Sequence, residues 1–279
     1  MRSALLRGRD HVELGGVAAE AQGQAALALS RGGAPKTYAY TDPNEDAALF
    51  ATGPGGTLLA VADGHDGFAA SELALDHLLH QPAAQWIAAE AVEPASWERH
   101  ALAALLDANA AIRREVEGSP TPRSCTTLCL AVVRPAEGRL LFATMGDSHL
   151  FAARGDGVTD HGARASPGTR RRHGSFFLGW GDETETSLRD KCAIGVEPLT
   201  GCRAVLLATD GLSERHVGVA DAAETVAACV GAAARADRDL RALEAARGVV
   251  EAALAAHVRR GSGDNVASAV AWLEDATRS

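Results

Sequence analysis

The chain has no apolar run that approaches the length of a membrane span, no C-x-x-C pair, no excess of basic residues and no Pro/Gly/Ser-rich or charged linker. Each absence removes a class of function. A bilayer-spanning helix needs about 20 consecutive apolar residues, and Met1–Asp10 carries basic residues beside too short an apolar stretch for a signal peptide. The expected location is therefore the cytoplasm, with no membrane partner. A formal net charge of −9 argues against nucleic acid or anionic lipid as the main partner, since both favour basic surfaces. The five cysteines are odd in number, and Cys125 and Cys129 sit in an apolar run where reduced thiols act as small hydrophobes. A disulfide framework or a zinc site is not expected. No EF-hand loop is present, which counts against a calcium-stabilised structural protein.

What is present suits one globular unit. With 279 residues and 47% hydrophobic content, the chain can bury a large core. Residues 1–36 are Ala/Gly-rich with little periodicity and read as a partly ordered lead-in that can include one edge strand. The main domain then covers 37–279. Ala47–Thr52 and Leu58–Ala62, separated by Gly53-Pro54-Gly55-Gly56, predict a hairpin. Phe68–Leu79 predicts a helix closed by Pro82. Leu102, Leu105, Ile112 and Val116 share one face of a second helix over about 97–117, with Ser96 as N-cap. Thr126–Val133, Arg139–Met145 and His149–Ala153 suggest an antiparallel meander. Residues 155–200 read as a variable, flap-like surface excursion. A strand at Ala204–Ala208, helices near 221–233 and 238–258, and a strand at Val266–Leu273 complete an α+β pattern.

One local design recurs. Leu58–Ala62 runs into Asp63-Gly64-His65-Asp66-Gly67, and Leu140–Met145 runs into Gly146-Asp147-Ser148. Val205–Thr209 runs into Asp210-Gly211, and Gly263-Asp264-Asn265 opens the final apolar run. A single Asp-Gly pair is an ordinary hairpin turn. Four aspartates where apolar strands meet glycines point instead to metal ligation. Hard cations such as Mg2+ or Mn2+ take oxygen ligands held with little freedom, and a strand end supplies that rigidity.

Taken in order, these and further motifs resemble the metal-dependent protein phosphatases, the PPM or type 2C serine/threonine phosphatases of bacterial type. The matching segments are Asn44-Glu45-Asp46-Ala47, Val61–Gly67, Cys125-Thr126-Thr127, Gly146-Asp147-Ser148, Thr159-Asp160-His161, Gly195–Pro198, Leu207–Leu212 and Asp264-Asn265-Val266. The resemblance implies a sandwich of two antiparallel β-sheets flanked by α-helices on both sides. It also implies two or three divalent cations, Mn2+ or Mg2+, with Asp63 bridging two of them and the Gly64 carbonyl binding one. Asp210 and Asp264 complete the other, Glu45 acts on the metal sphere with Asp46 beside it, and Asp147 joins Asp210 at a third site. The implied reaction is hydrolysis of phosphoserine and phosphothreonine by a metal-bridging hydroxide. His65 is then the candidate proton donor to the leaving oxygen. The implied partner is a phosphoprotein whose phosphorylation a serine/threonine kinase opposes, in signalling, with the phosphatase a monomer.

The chain departs from the pattern at Thr41, where most relatives carry a phosphate-gripping arginine. A guanidinium holds phosphate through a bidentate fork, and threonine has no equivalent. Arg170, Arg171 and Arg172 in the long excursion are the candidate substrate-binding replacements. His149 also stands where an arginine often follows Gly-Asp-Ser. Two alternatives stay open on these grounds: a phosphatase of a small phosphorylated metabolite, or a weakly active or non-catalytic regulatory module on the same fold.

Overall fold

The computed structural model describes residues 1–155, 157–162 and 177–273. Strands β1 (Arg2–Arg7), β2 (Ala18–Gln22), β3 (Ala25–Ser30), β4 (Ala47–Thr52), β5 (Thr57–Ala62) and the short β6 (Gly64–His65) come first. Helices α1 (Ala69–His80), α2 (Ala83–Trp86) and α3 (Pro94–Val116) follow. Next are β7 (Cys125–Thr126), β8 (Leu128–Arg134), β9 (Arg139–Met145), β10 (His149–Arg154) and β11 (Gly157–Asp160). Helix α4 (Glu185–Lys191), β12 (Cys192–Pro198), β13 (Cys202–Ala208), α5 (Ala222–Ala233), α6 (Arg241–Arg260) and β14 (Val266–Trp272) complete the order.

Two six-stranded antiparallel sheets, ordered β1-β4-β5-β8-β9-β12 and β11-β10-β13-β14-β3-β2, stack face to face. Helices α1 and α3 cover the first sheet, and α5 and α6 cover the second. This is the expected α+β sandwich. Strand side chains alternate between two buried environments. On β5, Leu58, Ala60 and Ala62 belong to the core under α1 and α3, while Leu59 and Val61 join the core between the sheets. On β13, Val205 and Leu207 face the opposite sheet, and Ala204, Leu206 and Ala208 face α5 and α6. A strand covered on both faces reads as an unbroken apolar run. No helix among the described residues is long and apolar enough to cross a membrane.

Four expectations are corrected. Residues 155–200, read as a surface excursion, supply β11, α4 and β12 among their described residues, and β12 pairs with β9 along its length in the first sheet. Residues 1–36, read as a lead-in, supply three strands. β1 pairs with β4 along its length, and β3 is wholly buried between β14 and β2. Arg7 further ties β1 to α1 through Glu72 (3.3 Å) and Asp76 (2.9 Å). The Ala25–Leu29 run hid this role because both its faces are covered. The expected meander is broken as well: β8 and β9 pair in one sheet, but β10 crosses to the other and pairs with β13. Gly146, at a φ of 101°, permits that change of direction. Finally, α3 starts at Pro94 rather than after Ser96. The ring of Pro94 presets the first-turn φ, and the Ser96 hydroxyl donates to the Glu93 carbonyl.

Candidate metal centre

Strand ends from both sheets meet at one end of the sandwich. Ala47 pairs with Ala62, so Glu45 and Asp46 enter β4 beside the point where Asp63 leaves β5. Ala208 pairs with Ser268, which sets Asp210 at the end of β13 alongside Asp264 at the start of β14. Asp147 follows β9 through the Gly146 turn. Carboxylate oxygens of Asp63, Asp147 and Asp210 all lie within 4.8 Å of one another. Glycine is required where backbones close on this cluster. A Cβ on Gly64 would sit 2.4 Å from the Glu45 carbonyl oxygen, and one on Gly211 would sit 1.8 Å from that of Asn265.

The cluster is held by a buried polar frame. Asp63 is anchored by both threonines of the Cys125-Thr126-Thr127 motif. Its N–H donates to Thr127 Oγ1 (3.1 Å), and its carbonyl accepts from Thr126 Oγ1 (2.9 Å) and the Thr127 N–H (2.9 Å). Glu45 Oε1 accepts from the N–H groups of Thr41 (3.2 Å), Asp42 (3.1 Å) and Gly67 (2.7 Å), which ties the two acidic loops together. The Asn265 side chain accepts from the Glu45 N–H (3.0 Å) and donates to the carbonyls of Arg31 and Pro43. Thr209 Oγ1 donates to Asp46 Oδ2 (2.7 Å) and accepts from the Ala267 N–H (2.9 Å). Thr209→Val keeps the shape and strands both partners. Such a buried loss costs about 1–3 kcal/mol, to be read as a lowered urea midpoint in chelator.

Electrostatics mark the centre as short of positive charge. Burial, then the carboxylates of Asp210, Asp46, Asp264 and Asp147, push the Asp63 acid well above the usual range. Burial, then Asp147 and Asp264, do the same to Asp210. Burial raises Asp46 to about 7, and its buried Oδ1 meets no hydrogen-bond donor. An all-oxygen set of crowded, buried carboxylates with an orphaned oxygen fits a hard divalent cation. A cleft of about 540 Å3 opens onto the cluster, lined by His65, Asp147, Asp210, Asp264, Tyr38 and Arg215 among others. His65 Nε2 lies 3.5 Å from Asp63 Oδ2, and its ring meets Phe177 edge-on at 4.4 Å. Burial lowers the His65 pKa against the pull of Asp147 and Glu45.

The family model for protein phosphatase 2C matches residues 36–255. This chain belongs to the protein phosphatase 2C family. Solved structures share the fold. The serine/threonine phosphatase Stp1 from Staphylococcus aureus is 19% identical with a TM-score of 0.63, over 95% of this chain and 98% of that one. The catalytic domain of the serine/threonine phosphatase PstP, in complex with two manganese ions, is 24% identical with a TM-score of 0.59, over 93% and 100%. The PPM Ser-Thr phosphatase MsPP from Mycobacterium smegmatis, in complex with cacodylate, is 26% identical with a TM-score of 0.58, over 90% and 98%. No curated protein sequence matches the chain significantly.

In this protein phosphatase 2C chain the expected residues divide into groups. Asp63, Asp147 and Asp210 form the open carboxylate group, with Gly64 and His65 directly beside it. Asp46 is buried against Thr209. Glu45 and Asp264 share a different neighbour: Lys36 Nζ lies 3.7 Å from Glu45 Oε2 and 3.4 Å from Asp264 Oδ1. Arg170, Arg171 and Arg172 lie outside the described residues. His149, in place of an arginine, bonds Asp160 (2.7 Å) and Ser213 (2.7 Å), which gives the Thr159-Asp160-His161 motif a partner on β10. Burial alone would raise Asp160, but the His149 contact and the N–H groups of Gly162 and Leu150 hold it below the usual range. Sequence reasoning missed Lys36, Tyr38, Thr209 and Arg215. Thr209 adjoins an aspartate motif and was within reach, whereas a lone lysine in a loop carries no local signal.

Proposed function

We propose that the chain is a protein serine/threonine phosphatase, hydrolysing phosphoserine and phosphothreonine esters with two divalent cations, Mn2+ or Mg2+, at this centre. The observation that carries the reading is the convergence of Asp63, Asp147 and Asp210 from three strand ends, with Asp147 and Asp210 lining one cleft. The manganese complex of the related PstP catalytic domain supports it. Asp63, Asp210 and Asp264 would hold the cation pair, with Glu45, Asp46 and the Gly64 carbonyl beside them. Asp147 with Asp210 offers a third, weaker position. When bound, the cations lower the pKa of a water and neutralise charge on the phosphoryl oxygens.

The protein groups position and donate. His65, on the cleft wall, gives a proton to the departing serine or threonine oxygen. Arg215 lines the same cleft and replaces the phosphate contact that Thr41 cannot make. His65→Ala is expected to slow phosphopeptide hydrolysis by about 100-fold. It should slow p-nitrophenyl phosphate far less, because nitrophenolate departs without a proton. Equal losses on both substrates would remove His65 from this role.

The primary test is turnover of p-nitrophenyl phosphate with Mn2+ or Mg2+ and its loss in EDTA. Activity persisting in full chelator overturns the reading. Comparing phosphopeptides with small phosphorylated metabolites separates the two substrate classes. Thr41 favours a second reading, a regulatory module on the same fold. Cation binding without turnover on any phosphoester would select it.

A further inference from the structure

The Pro35–Tyr38 segment is fastened residue by residue to the Ser262–Asp264 loop. The Gly263 N–H donates to the Pro35 carbonyl (3.0 Å), and Thr37 Oγ1 bonds Ser262 Oγ (2.9 Å). The Tyr38 hydroxyl donates to Asp264 Oδ1. The fit is backbone-close, since a Cβ on Gly263 would sit 1.9 Å from the Ala34 carbonyl oxygen. Between these fastenings Lys36 turns inward. Its side chain is only 6% exposed, and its ammonium faces Asp264 (3.4 Å) and Glu45 (3.7 Å). It also lies over the rings of Tyr38 (5.4 Å) and Tyr40 (5.8 Å).

A single compact positive charge thus sits against two of the carboxylates assigned to the cation pair, while Asp63, Asp147 and Asp210 keep their oxygens grouped without it. An ammonium suits this place better than a guanidinium, because it is a point charge that approaches two carboxylates without a planar fork.

We propose that Lys36 is a fixed counter-cation on the Glu45–Asp264 side of the centre, so that the two cation subsites fill unequally. The Asp63 side of the centre, which Lys36 Nζ does not pair with, takes a divalent cation first. The Glu45–Asp264 side takes one only against the Lys36 charge, or after the Pro35–Tyr38 segment moves aside. Lys36 is a positioning residue that makes full loading of the centre depend on cation concentration. The proposal rests on the metal-centre reading above.

The test is calorimetric titration of the full, EDTA-stripped chain with MnCl2, with Mn2+ electron paramagnetic resonance to detect a coupled pair. Wild type is expected to bind a first Mn2+ tightly and a second about tenfold or more weaker. Lys36→Met, which keeps length and removes charge, should strengthen the second site by about tenfold and leave the first nearly unchanged. Lys36→Arg should retain the weak second site. Tyr38→Phe, which only loosens the segment, should shift the second site in the direction of Lys36→Met. Equal affinities at two sites in wild type overturn the proposal whether or not Lys36→Met folds. So does a folded Lys36→Met with wild-type affinities or with parallel losses at both sites. Failure of wild type to bind Mn2+ at all overturns the metal-centre reading, and the proposal with it.

Discussion

Asp210→Asn and Asp63→Asn are each expected to lower turnover of p-nitrophenyl phosphate by on the order of 1,000-fold, while the folded structure survives. Asparagine is nearly the shape of aspartate but carries no charge, so it keeps the packing and withdraws the charge of a proposed cation ligand. Asp63 and Asp210 share their group with Asp147 within 4.8 Å, so either loss opens the centre. Without metal the same changes should be stabilising. Two carboxylates at that spacing repel by a few kcal/mol at an effective dielectric of about 20, and the substitution removes one of them. The check pairs steady-state rates in Mn2+ with thermal unfolding in EDTA. An EDTA midpoint well below wild type would show that these aspartates serve the fold rather than a cation.

Removing the metal is expected to produce the second large effect, on stability and on its pH dependence. At free Mn2+ about 100 times its dissociation constant, one bound cation adds about 2.7 kcal/mol. In a domain of this size that raises the unfolding midpoint by about 5–10 °C. In chelator the pH trend should run opposite to that of most carboxylates. Asp46 is pushed up to about 7 by burial, and Asp63 and Asp210 are raised well above their ordinary values. Unfolded aspartates titrate near 3.9. Between those limits the folded chain binds more protons than the unfolded one, so stability falls as pH rises. The metal-free protein should therefore lose several kcal/mol between about pH 4 and pH 7, and Asp210→Asn should flatten the slope. Mn2+ should reverse the trend, because protons compete with it for the same oxygens. Denaturant unfolding across pH, with EDTA and with Mn2+, checks both limbs. A metal-free protein that gains stability from pH 5 to pH 7 would contradict the crowding.

Much of this protein was legible before any coordinates. The apolar runs at Ala47–Thr52 and Leu58–Ala62 flank a four-residue turn, and they pair as β4 and β5 in that register. The helical face of Leu102, Leu105, Ile112 and Val116 is buried as expected. These features depend on neighbours within a few residues, where periodicity and turn chemistry act. The first strands were harder. Ala25–Leu29 lies between other strands and under α6, and small residues covered on both faces leave no alternation to read.

The sequence by itself singled out the side chains proposed for the centre. Aspartates at strand ends beside glycine are a local pattern, and local patterns survive unfolding on the page. Tertiary structure alone decided how those side chains are distributed. It grouped Asp63 and Asp210 with Asp147, sent β10 into the opposite sheet, and set Lys36 against Glu45 and Asp264. Lys36 and Asp264 are separated by 228 positions in the chain. Their approach depends on the pairing of β3 with β14 and the close fit of Gly263 against Ala34. No local propensity encodes such a contact, because it exists only once both sheets have formed.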